Sequence, residues 1–528
     1  MSELKHECGV AAIYHYNSLK RSPLCPDQGP REVSRLMPRM LLDIQNRGQL
    51  AAGMSVYQSK DDHDPGRLLR TYKDLGTVSE VFRLSHKAKS EAVMKSCVGS
   101  ASIGHVRYAT CGADDIDYAQ PFERQHLQKH KSFCFAFNGQ LSNREPLKEE
   151  LLKSNEDYHL TLDSDTEIIM YEIGKELSGD RRPELIDVMR AVSKRFDGAY
   201  SLAFLDAKGR MLVARDPLGI KPMCYAYDDA LFAAASESVA LLNLGFANEK
   251  IFSLKPGEAI TVSEGGVKIE RFCEERKSAH CFFEWIYFAN VASTLDEKSV
   301  YVSRTNLGTE LARIEKERNE ILIDEDTIVV PVPDTSKAAA DAMAFALSIP
   351  SREGLIRNRY SGRTFIEGEG RRRKAESKYT PLRQVLEGKR VFLVEDSIVR
   401  STTMRVLIER LYDIGKAKEI HVRVACPPII APCYYGIDMP SINNLFATEY
   451  LGKGDEADEE VFRQMAIQLK CDSLRYLPVS AVARAIGFSS SQLCQACITG
   501  SYPTVYGQKL YELDIQENGS SRKQMQPT

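Results

Sequence analysis

Short apolar runs punctuate the first half of the chain, and longer apolar periodicities fill the second. SIGHVRYAT (102–110), SFCFAFN (132–138), YSLAFLD (200–206) and MLVAR (211–215) are bounded by Gly, Asp, Asn or Pro, the pattern of strands ending in turns. Between them, 166–177 and 184–196 carry apolar residues three or four apart, which predicts two amphipathic helices. Several strands with a few helices predict packed sheets covered by helices over residues 8–260. From about 300 the rhythm changes. Helix 307–320, strand 327–332, helix 336–348, strand 390–395, helix 401–414 and strand 419–425 alternate, which predicts a parallel α/β sheet. The junction falls at 270–300, and the polar end QENGSSRKQMQPT predicts a structureless tail over 511–528.

At 528 residues the chain is long enough for two or three domains. Apolar residues make up 43% and charged residues 27%, with 70 Lys plus Arg against 73 Asp plus Glu, a net charge of −3. This balance argues against wrapping nucleic acid or lying on anionic lipid. No apolar run approaches the ~20 residues that span a bilayer, and charged Lys5 and Glu7 precede the short stretch Cys8–Tyr14, so neither a membrane span nor a secretory signal is expected. Thirteen cysteines without such a signal fit a reducing cytoplasm.

Three constellations carry chemistry. VFLVEDSIVRSTT (391–403) reads as a buried strand ending in adjacent carboxylates, Glu395 and Asp396, with Ser397, Ser401, Thr402 and Thr403 opening a helix. Amides and hydroxyls at a helix N-terminus cradle an anion, while the acids accept from a sugar or hold Mg²⁺; the plainer reading is a capped strand–turn–helix. Upstream, the basic stretch RNRYSGRTFIEGEGRRRK (357–374) is either a solvated charge run or a clamp for a polyphosphate. Cys8 opens an apolar strand, as many core cysteines do, but Arg107 in GHVRYAT, Asn138-Gly139 in FNG and Asp165 in DSDTE add to it. A thiol nucleophile, an amide-plus-backbone oxyanion hole, and a cation and an anion for an amino acid's two charged ends make a glutamine-hydrolysing site. Cys494-x-x-Cys497, with Cys281 and Cys433 far upstream, is compatible with zinc, an iron–sulfur cluster, redox chemistry or coincidence. The remaining cysteines show no readable arrangement.

Together these residues resemble the amidophosphoribosyltransferase family, the glutamine phosphoribosylpyrophosphate amidotransferases that open de novo purine synthesis. The resemblance runs from Cys8 to about Tyr506 through ECGV, NRGQ, GHVRYAT, FNG, DSDTE, ARDPLGIKP, NRYSGRTFI, VEDSIVRSTT, CPPIIAPCYYGID and CQACITGSYP, in the family's order. It implies a two-domain α/β protein: an N-terminal-nucleophile αββα glutaminase (8–270), then a type I phosphoribosyltransferase parallel α/β domain (271–490) and a cluster-binding segment (491–510). Residues 1–7 would be a propeptide whose removal frees the Cys8 α-amino group, of reference pKa about 7.7–8.0, to take the proton of its own thiol. Arg107 and Asp165 match the residues that hold glutamine, and Asn138 and Gly139 the oxyanion hole. Thr335, Glu395 and Asp396 match the Mg²⁺ positions. Tyr360 and Arg363 match the loop that closes over the sugar phosphate; Ser397, Arg400, Ser401, Thr402 and Thr403 match the 5′-phosphate loop. Cys281, Cys433, Cys494 and Cys497 match the family's [4Fe–4S] ligands. The resemblance further implies a homotetramer inhibited by purine nucleotides.

Several positions depart from the family pattern. Asn46 stands for a usual His, Leu50-Ala51 for Glu-Ser, Phe137 for a His, Glu395 for Asp and Ser401 for Gly. Ser401 would be strained if its position required a positive φ. Two other readings stay open on the sequence: a different glutamine-dependent transferase, and a paralogue that senses phosphoribosyl nucleotides or regulates a partner.

Overall fold

The strand Gly9–His15, apolar along almost its whole length, is buried throughout and forms the middle of a seven-stranded antiparallel sheet. Its neighbours are Leu231–Ala235 and Ala101–Arg107. A second, six-stranded antiparallel sheet runs in the order Gly266–Arg271, Glu258–Ser263, Met211–Arg215, Gly198–Asp206, Phe133–Leu141 and Phe122–Arg124. This is a computed structural model, and it describes residues 8–58, 68–108, 115–154, 158–358, 378–439, 441–451 and 458–524, with side chains to 517. Residues 1–7, Tyr360 and Arg363 therefore lie outside the described residues.

The period of two along each strand sorts the side chains into layers. Val10, Ala12 and Tyr14 meet Ile103, Cys134 and Ala136 between the sheets. Ala11 and Ile13 face the other way, toward Met37, Met40 and Leu41 of the helix Met37–Asp43. Phe133, Phe135 and Phe137 also face outward, onto Ile168, Ile169 and Ile173 of helix Asp165–Glu176 and Val188 and Met189 of helix Leu185–Val192. The result is the expected helix–sheet–sheet–helix stack.

The second half holds a parallel sheet of Thr327–Pro331, Arg390–Glu395, Glu419–Val424 and Ser473–Tyr476, in that order. Its first three strands and the helices Lys337–Leu347 and Ser401–Asp413 agree with the sequence pattern. One helix starts earlier than predicted, at Val300 instead of 307. Ser299 caps it by accepting from the Val302 amide at 3.3 Å, and exposed Tyr301 and Val302 mask the apolar period there.

Within the expected junction, the apolar run Cys281–Ala289 is buried and includes a π-helical turn, Glu284–Phe288. Arg47, fully buried, ties this turn to the first sheet through Glu237 (2.6 Å) and Glu284 (3.2 Å). The expected structureless tail is helical as far as it is described, because a helix spans Val505–Gln524; residues 525–528 lie outside the described residues. Tyr511 packs on Tyr502, and Asp514 accepts from the Tyr434 hydroxyl, which gives this polar segment something to bury and to bond. Among the described residues, no helix is long and apolar enough to cross a membrane.

Candidate active sites

The layer pattern decides which side chains can meet at the first site. Gly9 pairs with Val106, so Cys8 continues the ladder beside Arg107. Cys8 shares a strand face with Val10, Arg107 with Ile103, and Asn138 with Ala136, and all three of those neighbours lie between the sheets. The thiol of Cys8 donates to the Tyr108 carbonyl at 3.6 Å. Arg107 is buried, with its guanidinium 5.4 Å from the Tyr118 ring centre. Two residues earlier, His105 reaches across to the second sheet, where its Nε2 meets the Phe137 carbonyl at 3.2 Å. Burial, and then the Arg107 charge, lower the His105 pKa to about 3, so its ring is neutral.

Asn138 is buried, and its Nδ2 has no hydrogen-bond partner among the described residues. An amide donor in that state is costly unless a ligand completes it. Beside it, Gly139 has φ +148°, and a Cβ there would sit 1.9 Å from the Ala199 carbonyl oxygen, so only glycine fits. Asp165 opens its helix at the end of the same strand and accepts from the Leu141 amide at 3.3 Å. Burial raises its pKa, against the pull of that amide.

The second site lies at the carboxyl ends of the parallel strands, where open α/β sheets bind ligands. Glu395 and Asp396 are both buried. Thr335 donates its hydroxyl to Asp396, and Ser397 donates to the same carboxylate at 2.8 Å. Burial, reinforced by Asp396, raises Glu395 to about 7. The helix Ser401–Asp413 starts immediately after, with extended Arg400 (φ −129°) at the N-cap and no capping bond from its side chain. The Ser401, Thr402 and Thr403 amides are thus in the first turn, which has no intrahelical partners.

Ser401 is the first helical residue and is absent from the positive-φ positions, so the strain considered from the sequence does not arise. Glycine there would only cost backbone entropy. Ser401→Gly is therefore expected to leave substrate KM at this site unchanged and to lower thermal stability by up to about 1 kcal/mol. Steady-state kinetics and a melting curve check both.

The four distant cysteines come together. Cys281, Cys433, Cys494 and Cys497 line one small pocket, with Lys221 and Tyr502 in its wall. Cys281 lies opposite Cys494 where the short strand His280–Cys281 pairs with Leu493–Cys494. Burial raises Cys494 to about 12, and burial followed by the other three thiols raises Cys497 well above its ordinary value. Among the described residues, no three His, Cys, Asp or Glu side chains converge closely enough for a single metal ion.

Comparison with known proteins joins these sites. A glutamine amidotransferase domain model matches residues 105–243. An amidophosphoribosyltransferase of Methanothermobacter thermautotrophicus is 35% identical over 98% of this chain and 99% of its own length. The chain belongs to the amidophosphoribosyltransferase family. Another relative, amidophosphoribosyltransferase 2 (chloroplastic) of Arabidopsis thaliana, is 35% identical over 94% of this chain and 80% of its own. The solved glutamine phosphoribosylpyrophosphate amidotransferase from B. subtilis, complexed with ADP and GMP, matches with a TM-score of 0.77 and 31% identity, covering 95% of this chain and 98% of its own.

The departures from the family pattern now have physical explanations. Phe137 faces the outer helices, opposite to Asn138, so the lost His does not enter the first site. Leu50 and Ala51 meet Arg107 through backbone, the Leu50 amide donating to its carbonyl at 3.1 Å, and that contact is indifferent to side chain. Asn46 donates to Glu237 and to the Phe288 carbonyl, each at 2.9 Å. The longer arm of Glu395 folds back to accept from the Asp396 amide at 3.0 Å. Sequence reasoning missed Arg304. It is buried and donates to the carbonyls of Trp285 (3.0 Å), Tyr287 (3.0 Å) and Ala289 (2.9 Å), groups that the π turn frees. No sequence signal singles it out, because a lone Arg in an amphipathic helix reads as surface.

Proposed function

We infer that the chain carries out the family's glutamine-dependent amido transfer to phosphoribosylpyrophosphate, in purine biosynthesis, with two sites. The observation that carries this reading is the common inward face of Cys8, Arg107 and the partnerless Asn138 amide, in a chain that also ends its second sheet in a buried acid pair. Cys8 attacks the glutamine amide carbon, and the oxyanion is met by the Asn138 side chain and the Gly139 amide. Collapse breaks the C–N bond, and the nitrogen leaves as ammonia with the proton taken from the thiol. Water then cleaves the thioester to give glutamate and restores the thiol. Arg107 pairs with the substrate carboxylate and Asp165 with its ammonium.

Ammonia attacks C1 of the ribose, the C1–O bond to pyrophosphate breaks, and 5-phosphoribosylamine forms. Ser397, Arg400, Ser401, Thr402 and Thr403 hold the 5′-phosphate at the helix start. Thr335, Glu395 and Asp396 suit Mg²⁺, which when bound would neutralise the departing pyrophosphate. A coupled assay following pyrophosphate and glutamate tests this. Equal release of both supports it; phosphoribosylpyrophosphate binding without pyrophosphate release would mark a sensing paralogue instead.

The cysteine cavity suits a [4Fe–4S] cluster better than zinc. The four thiols are the donor set of such a cluster and stand at the family's matching positions, and a mutually repelling, buried set ionises only with a bound metal group. Such a group would serve structurally, tying 281, 433 and the C-terminal segment together. Protein purified without oxygen should be brown with about four irons per chain, and Cys494→Ala should lose both colour and folded yield. Colourless protein with stoichiometric zinc would return the site to a structural metal. A homotetramer, inhibition by purine nucleotides and a cytoplasmic location complete the proposal; the B. subtilis protein complexed with ADP and GMP supports the nucleotide element.

A further inference from the structure

The strand that carries the oxyanion residues ends against a turn from the other half of the chain. Asn138, Gln140 and Ser142 share one strand face. The Gly436 amide donates to the Gln140 side-chain oxygen at 3.1 Å, and the Ser142 hydroxyl donates to the Tyr434 carbonyl at 3.1 Å. Between these bonds, Gly436 lies directly on Gly139. A Cβ on Gly436 would stand 3.0 Å from both the carbonyl carbon and oxygen of Gly139, and its φ of +99° is a glycine conformation. Gly139 is also closed by the neighbouring strand, where its own missing Cβ would meet the Ala199 oxygen at 1.9 Å. Gly139 is thus closely packed by both Ala199 and Gly436.

The turn is itself held at its base. The Ile430 and Ala431 amides donate to the Cys497 carbonyl at 2.9 and 3.1 Å, and the Tyr435 hydroxyl meets that of Thr504 at 3.1 Å.

We propose that Gly436 is a positioning residue for glutamine hydrolysis: the 434–436 turn packs on the Gly139 Cα and carbonyl and through them fixes the adjoining Gly139 amide that meets the oxyanion, so the first site is completed by the second half of the chain. This rests on reading Asn138 and Gly139 as the oxyanion hole. An added methyl would push on backbone with no flexible side chain to yield. Hydrolysis is sensitive to that displacement because the donors must meet the charge formed in the transition state rather than the bound substrate.

The test compares Gly436→Ala with Gly487→Ala and Asn138→Ala. Gly487 has a φ of +87°, but a Cβ there meets only the flexible end of Lys298 at 3.5 Å, so it controls for backbone strain alone. Gly436→Ala is expected to lower kcat with glutamine roughly 10–100-fold, with the glutamine KM and the ammonia-dependent rate unchanged. Gly487→Ala should lower stability and neither rate. Where Gly436→Ala gives no folded protein, Gln140→Ala replaces it, with a smaller loss confined to the same kcat. A Gly436→Ala enzyme with normal glutamine kcat, or one that loses both nitrogen donors equally, overturns the inference. If Asn138→Ala itself leaves the glutamine rate intact, the oxyanion reading fails instead.

Discussion

Cys8→Ser enzyme should make no measurable phosphoribosylamine from glutamine and close to the normal amount from ammonia. The thiol lies at the edge of the antiparallel sheets, beside Arg107, and donates to the Tyr108 carbonyl at 3.6 Å. A serine hydroxyl makes the same contact, so the fold and the second site keep their geometry. What is lost is the nucleophile: a hydroxyl is far harder to ionise than a thiol, so a base matched to the thiol, such as the freed α-amino group, activates it poorly. A fall of at least ~10³ in glutamine-dependent kcat is expected. Free ammonia bypasses this site, because the sugar site proposed above lies at the strand ends of the parallel sheet. Equal losses with both donors, measured with saturating ammonium at alkaline pH, would refute two separate sites.

Asp396→Asn is expected to give the complementary result. Asp396 is buried beside Glu395 and accepts from both Thr335 and Ser397. The amide oxygen keeps one of these bonds, and the substitution preserves shape, so the melting temperature should change little. The lost charge, however, is one of two that suit Mg²⁺, and the transfer step depends on neutralising pyrophosphate. Synthesis should fall at least ~10²-fold with either nitrogen donor, while Cys8 still reacts with a glutamine-site alkylating agent. Normal ammonia-dependent synthesis by this variant would remove the acid pair from the second site.

The two sites differ in how they can be read. The acid pair, the loop and the helix of the second site are contiguous from 391 to 403, so strand, turn and anion cradle appear in one stretch of sequence. The first site is assembled from Cys8, Arg107, Asn138 and Asp165, residues that share no local element. Their residue types suggested the chemistry, but what brings Cys8, Arg107 and Asn138 inward is the register of Gly9 with Val106 and the parity of each strand across two stacked sheets, while Asp165 is placed by its helix start against the Leu141 amide. The same parity explains why Phe137 is harmless although it adjoins Asn138.

The sequence by itself determined the strands and helices whose apolar period is strong, the change of architecture near residue 300, and the residue types of both sites. Those properties are local, set by side-chain periodicity and backbone preference. Tertiary structure alone decided what depends on contacts between distant segments. It buried the expected junction, because Cys281–Ala289 has apolar surface on every side and two buried arginines to satisfy its polar groups. It ordered the polar tail as a helix by giving Tyr511 an aromatic neighbour. It put Ser401 in ordinary helical geometry, since φ follows from where the helix begins and not from which residue the family prefers. And it set Gly436 against Gly139, a contact between two backbones nearly 300 residues apart that leaves no periodic trace in either segment.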